Sequence, residues 1–107
     1  DVDVLQVTVG DYQEIPVFLS VTDTQVLCIT YLFTEEEVIA TRRAELMEEM
    51  LELNIPMPLS AFSKVGDRYV VFGALSTNSS IEDICHELIT LTENAIEALE
   101  ALEEFLS

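Results

Sequence analysis

Residues 79–107 carry apolar or small side chains at Ile81, Cys85, Leu88, Thr92, Ala95, Leu99, Leu102 and Leu106, alternately four and three residues apart. A second stripe, Ile84, Leu91, Ala98 and Phe105, runs beside the first. Such spacing gathers side chains on one face of a helix, and two adjacent stripes make that face wide. The intervening positions hold Glu82, Asp83, Glu87, Glu93, Glu97, Glu100, Glu103 and Glu104, with no Lys or Arg. Ser79 with Glu82, or Ser80 with Asp83, suits the N-terminal cap. The pattern predicts one long helix, acidic on one side and apolar over a broad arc.

Upstream, the period changes to two. Residues 1–9 read as a strand, with Val2 and Val4 on one parity and Leu5, Val7 and Val9 on the other. Gly10-Asp11 begins a turn. Residues 16–22 form a cleaner strand with Val17, Leu19 and Val21 on one face, and Pro16 stands at its start, where a missing N–H does least harm. After a polar turn at Thr22-Asp23-Thr24, residues 25–33 are apolar on both parities, which predicts cover on both faces. Thr34 with Glu37 forms a capping-box pattern. A helix is expected from there to about Leu53, with Ile39, Met47, Met50, Leu51 and Leu53 inward and Asn54 and Pro56-Met57-Pro58 as its stop. Residues 59–65 and 68–75 flank Gly66-Asp67, a hairpin signal, and Tyr69 to Phe72 are again apolar on both parities. Gly73 weakens a strand interior and marks a bulge or a close backbone approach.

The order β-β-β-α-β-β-α predicts an α+β fold, a five-stranded mainly antiparallel sheet with two helices, in a single domain over residues 1–107. Two helices cover one face of a sheet, and two strands here look two-sided. The other face needs a second copy, or a helix upstream of Asp1, which is not Met. A hydrophobic sheet face left bare invites aggregation, so a homodimer is the leading expectation, with the wide arc of the final helix as another pairing surface.

Charge narrows the partners. Half of the 107 residues are hydrophobic, yet 21 acidic and 4 basic residues give a formal charge of −17. Disordered acidic chains lack that apolar share, so this is a folded domain with an acidic shell. Arg42, Arg43, Lys64 and Arg68 cannot neutralise a run of phosphates, which excludes nucleic acid, and the charge opposes an anionic membrane surface. A basic protein partner fits it. Cys28, in an apolar strand, and Cys85, on the helix seam, read as buried small hydrophobes, and two cysteines make no disulfide framework. With no signal peptide or spanning segment apparent, a cytoplasmic protein is expected, with no membrane insertion.

Candidate chemistry is sparse. His86, the single histidine, follows Glu82 and Asp83 by one turn, half of a carboxylate–histidine metal pattern. A metal needs three or four converging ligands, and an exposed polar face is the plainer reading. Cys85 and His86 diverge by about 100° around a helix, so they make no nucleophile–base pair, and Cys28 reads as a packed thiol. The three glycines are isolated and form no phosphate loop. Arg42 and Arg43 are expected to bridge Glu45, Glu35 or Glu36, the alternative being contact with a small anion. No catalytic, cofactor-binding or metal residue is assigned, and no cofactor is expected.

The segments around Val4-Leu5-Gln6-Val7-Thr8-Val9-Gly10-Asp11-Tyr12 and Ile15-Pro16-Val17-Phe18-Leu19-Ser20-Val21 resemble the YjfI-like bacterial proteins, a domain of unknown function. So do Met57 to Phe62, Tyr69 to Ser76, Ser79 to Ile84 and Glu93 to Glu100. The resemblance implies a small, acidic, bacterial, cytosolic protein without an established activity, encoded near membrane-stress proteins of the phage-shock-protein-A type. It also implies a helix before the first strand, which this sequence lacks. With that helix, the element order resembles the type III secretion chaperone fold, which shares an acidic, dimeric habit. The expected function is a non-enzymatic, protein-binding or chaperone-like accessory factor. The alternatives are a carboxylate-based or metal-dependent enzyme and an acidic mimic of nucleic acid.

Overall fold

Gly66 takes φ +62° and Asp67 does not follow it to positive φ, the arrangement a II′ hairpin turn requires. It joins β4 (Ala61–Val65) to β5 (Arg68–Leu75). A second hairpin joins β2 (Val17–Val21) to β3 (Val26–Thr34), closed by the Thr22 N–H donating to the Gln25 carbonyl at 2.9 Å. The Thr22 hydroxyl also accepts from the Gln25 N–H, so the side chain does part of the turn's hydrogen bonding. With β1 (Val4–Val7), these strands form one antiparallel sheet in the order β1-β2-β3-β5-β4. The structure, a computed structural model, describes residues 4–10 and 15–107. The expected strand start at residues 1–3 and the turn at Asp11 lie outside the described residues.

The α+β class, the five antiparallel strands and the element order agree with the sequence pattern. Two helix boundaries differ, for one shared reason. After Thr34 the chain makes a single 3-10 turn, Glu35–Glu37, then a second, Ala40–Arg42, and α1 runs only over Arg43–Leu53. At the other end, α2 spans Ile81–Leu102 and passes through a 3-10 turn, Glu103–Phe105. Between these segments Val38 and Leu106 form an antiparallel bridge, the Ile39 N–H donates to the Phe105 carbonyl at 2.9 Å, and the Ser107 N–H donates to the Glu37 carbonyl at 2.8 Å. The backbone groups that a longer helix would have used are spent on each other. The capping-box pair still meets in part, because the Thr34 N–H donates to the Glu37 carboxylate at 2.8 Å. At α2 the cap is Ser80, whose Oγ accepts from the Asp83 N–H.

Helix α2 packs on β3 and β5. Val17, Cys28, Leu46, Val71, Leu91 and Leu102 are fully enclosed between the sheet and the two helices. Burial of one such side chain contributes roughly 1.5–3 kcal/mol. On α1 the inward residues are Leu46 and Met50, with Met47 and Leu53 half-buried; Leu51, expected inward, is 70 % exposed. Cover on both faces of β3 is not found among the described residues. Val26, Cys28 and Thr30 are buried, whereas Leu27 and Ile29 are half-buried and Tyr31 is exposed. A register shift between Tyr31 and Phe33 then returns Phe33 to the covered side.

Candidate binding surfaces

The strand register defines what the sheet presents on the side away from the helices. Phe18, Ile29, Phe72 and Ala61 lie opposite one another across four strands. Leu27 pairs with Ala74, and Tyr31 pairs with Val70. The Phe18 and Tyr31 rings meet at 5.5 Å, and the Arg68 guanidinium lies 4.8 Å above the Tyr31 ring. Strand alternation places Arg68 on this side too, as its one charged residue among the described strand positions, none of which puts a carboxylate on the face. Most of these side chains are half-buried by their own neighbours, and neither α1 nor α2 lies over them.

A second apolar region lies on the helical side, at the β4 edge. Phe62 is the common wall of two clefts. One, about 150 Å³, opens between Leu53, the Pro56-Met57-Pro58 segment and Ala98 and Ala101 of α2, with Glu97 on its lip. The other, about 230 Å³, lies between Met47, Met50 and Leu51 of α1 and Lys64 and Tyr69 of the hairpin. The walls are pinned by side-chain amides. Asn54 Oδ1 accepts the Phe62 N–H at 2.7 Å, and Asn94 Nδ2 donates to the Pro58 carbonyl at 2.8 Å and to Ser60 Oγ at 3.0 Å. Leu59, within the pinned segment, is held at φ +63°, a conformation non-glycine residues rarely adopt.

The arginines behave as salt bridging predicts. Arg42 reaches Glu45 and Glu104, and its guanidinium lies 4.5 Å above the Phe105 ring, so it ties α1 to the end of the chain. Arg43 donates to Glu35 at 2.8 Å. Glu35 also accepts from Lys64 and from the Tyr69 hydroxyl, and the hydrogen bonds from Arg43, Tyr69 and Lys64 hold its carboxyl down at about 2. One carboxylate thus fastens the entry to α1 onto both strands of the β4–β5 hairpin. Burial, and then its bond to Glu35, push the Tyr69 hydroxyl above its ordinary value.

The potential chemical groups do not converge. His86 is exposed, and no group of three or more His, Cys, Asp or Glu side chains capable of holding a metal occurs among the described residues. Cys28 is buried, and that burial, with Glu87 nearby, raises its thiol to about 11. Cys85 is exposed, a correction to its expected place in the core; it stands one residue off the arc that meets the sheet. The unexpected group is Glu87, only 3 % exposed, with Oε2 buried and unpartnered. It lies against Gly73, where a Cβ would overlap Oε2 and come within 3.1 Å of the Leu59 carbonyl. Gly73 therefore marks a close approach, by a side chain rather than by backbone alone. Burial pushes the Glu87 carboxyl above its ordinary value. The signal was present in the helix period: Ile84, Glu87, Leu91, Asn94 and Ala98 are spaced three and four apart, so the acid and the amide share an arc with core residues.

No helix among the described residues is long and apolar enough to cross a membrane. The fold is shared with a chain in the structure of the heterodimeric complex ExoU-SpcU from the type III secretion system of Pseudomonas aeruginosa, at a TM-score of 0.71 and 13 % identity, covering 91 % of this chain and 80 % of that one. This agrees with the secretion-chaperone architecture that the element order resembles. In sequence the chain is 30 % identical over 105 residues to the uncharacterized protein YjfI in two strains of Escherichia coli, covering 94 % of this chain and 77 % of YjfI. The chain matches the DUF2170 family over residues 1–106 and belongs to that family of uncharacterized proteins conserved in bacteria.

Proposed function

We propose that this protein is a non-enzymatic, protein-binding factor of chaperone-like type that works in the bacterial cytoplasm and pairs with a second copy through the open side of its sheet. The observation that carries this reading is the apolar face around Phe18, Ile29, Phe72 and Tyr31, which neither helix covers and to which the described strand positions add no carboxylate. A chain of formal charge −17 repels its own copies nearly everywhere. Self-association therefore favours this broad apolar area, whose described strand positions carry no negative charge. The fold held in common with a chain of a two-protein secretion complex supports a binding role. The acidic exterior suits a carrier that stays soluble while it offers apolar surface, and it favours basic partners.

Two measurements test the proposal. Light scattering is expected to give twice the chain mass of 12.0 kDa for the wild type and the single mass for Tyr31→Asp, whose side chain is already exposed. Affinity capture from native cells, followed by mass spectrometry, is expected to recover a partner with the wild type. A monomeric wild type removes the pairing; recovery of no partner removes the binding role.

A further inference from the structure

We infer that the two clefts beside Phe62 dock a basic segment of another protein, seating one large apolar side chain of that segment in each. The inference rests on the protein-binding reading and adds to it a second surface and the chemistry of the occupant.

Size supports it first. A cavity of about 150 Å³ accepts a benzene-sized group, and the two clefts measure about 150 and 230 Å³. Each therefore suits a Leu, Met or Phe side chain.

Composition supports it next. The chain has three methionines, and all of them, Met47, Met50 and Met57, line these clefts. Methionine repacks readily around different shapes and is favoured at binding surfaces that accept varied apolar partners. Leu51 and Ile55 stand beside the clefts at 70 % and 88 % exposure, although both are large and apolar. The walls themselves are fixed by the Asn54 and Asn94 hydrogen bonds, so little ordering remains to oppose binding.

Charge selects the occupant. Glu97 lines the smaller cleft, with Glu93 and Glu100 one helical turn to either side, and Glu48 and Glu52 adjoin Leu51 on α1. Lys64 is the one cation lining either cleft, and it is bound to Glu35 at 2.9 Å. A second copy of this chain would bring the same acids against these acids, and a nucleic acid would bring phosphates. A segment with Lys or Arg flanking apolar anchors satisfies both the clefts and their rim.

Selection from a random peptide library displayed on phage, with the purified protein as bait, tests this. The expected result is enrichment of peptides with net positive charge and two large apolar residues. Synthetic copies of these should bind about tenfold more weakly to Leu51→Asp and to Ala101→Arg. They should bind a few-fold more weakly to Glu97→Lys, and more weakly still as salt rises. All three positions are exposed, and unchanged melting curves would confirm that the variants fold. Enriched peptides that are neutral or acidic overturn the inference. Peptides that lose binding to Tyr31→Asp but keep it to the cleft variants overturn the docking site and leave the protein-binding reading standing. A selection that enriches nothing overturns both.

Discussion

Cys28 and Ile29 are consecutive residues of β3, yet Cys28 is fully enclosed under α2 while Ile29 is left half open on the other side of the sheet. Both sides are apolar in sequence. The covered side has α2, a buried acid and the core; the open side has rings, aliphatic chains and one arginine. Strand periodicity states how polar each side is, and says nothing about what arrives to cover it. That is decided by where the helices cross, and both cross on the same side.

The largest expected difference between the sides is in stability. Leu91→Ala, under the covered side, should lower the unfolding free energy by about 2–5 kcal/mol in urea. Ile29→Ala on the open side should lower it by about 1 kcal/mol, since a half-open site leaves little cavity behind. Equal losses would show that the open side is covered in solution. Gly73→Ala comes next. Its new Cβ displaces the Glu87 carboxylate, for an expected loss of about 1–3 kcal/mol, and the loss should shrink markedly in a Glu87→Ala background, as a double-mutant cycle would read.

Glu87→Gln sharpens the comparison from the other direction. It removes a buried carboxyl without a partner and should stabilise the protein at neutral pH by about 1 kcal/mol. Because burial raises the native value, the wild type is favoured by protonation below the ordinary value of 4.5 and loses that advantage as pH rises through the raised native value. His86 opposes the shift, and Cys28 faces the same carboxyl. The melting temperature of Glu87→Gln should lack this component of the pH dependence. Glu35 runs the opposite way. Its native value, about 2, lies below the ordinary 4.5, so its contribution is complete above 4.5 and fades as pH falls toward 2. Glu35→Gln should melt slightly below the wild type at pH 7, and the gap should close on acidification through that window.

Much of this fold was legible in sequence because each element carries a local signature. Gly66-Asp67 announced its hairpin, the Ser79-Ser80 pair its cap, and the 4-3 stripe its helix. The starts and ends of the helices failed where long-range bonding won: nothing local tells Val38 to pair with Leu106. Leu51 read as core because its neighbours Met47 and Met50 are, yet it lines the open cleft beside Phe62 and Lys64 and stays exposed. The clefts were illegible because Phe62, Met57 and Ala98 come from three separate segments, and their meeting depends on the Asn94 and Asn54 amides. Glu87 was read as solvated because it is acidic, although its position on the helix already placed it inward.

The bridge between Val38 and Leu106 has a consequence for the order of folding. The Ser107 hydroxyl and N–H both reach the Glu37 carbonyl, 70 positions earlier. Contacts of such separation form late, after the loop between them has closed. The turns that lead into α1 are therefore expected to lock among the last parts of the fold, after the sheet and α2 have met.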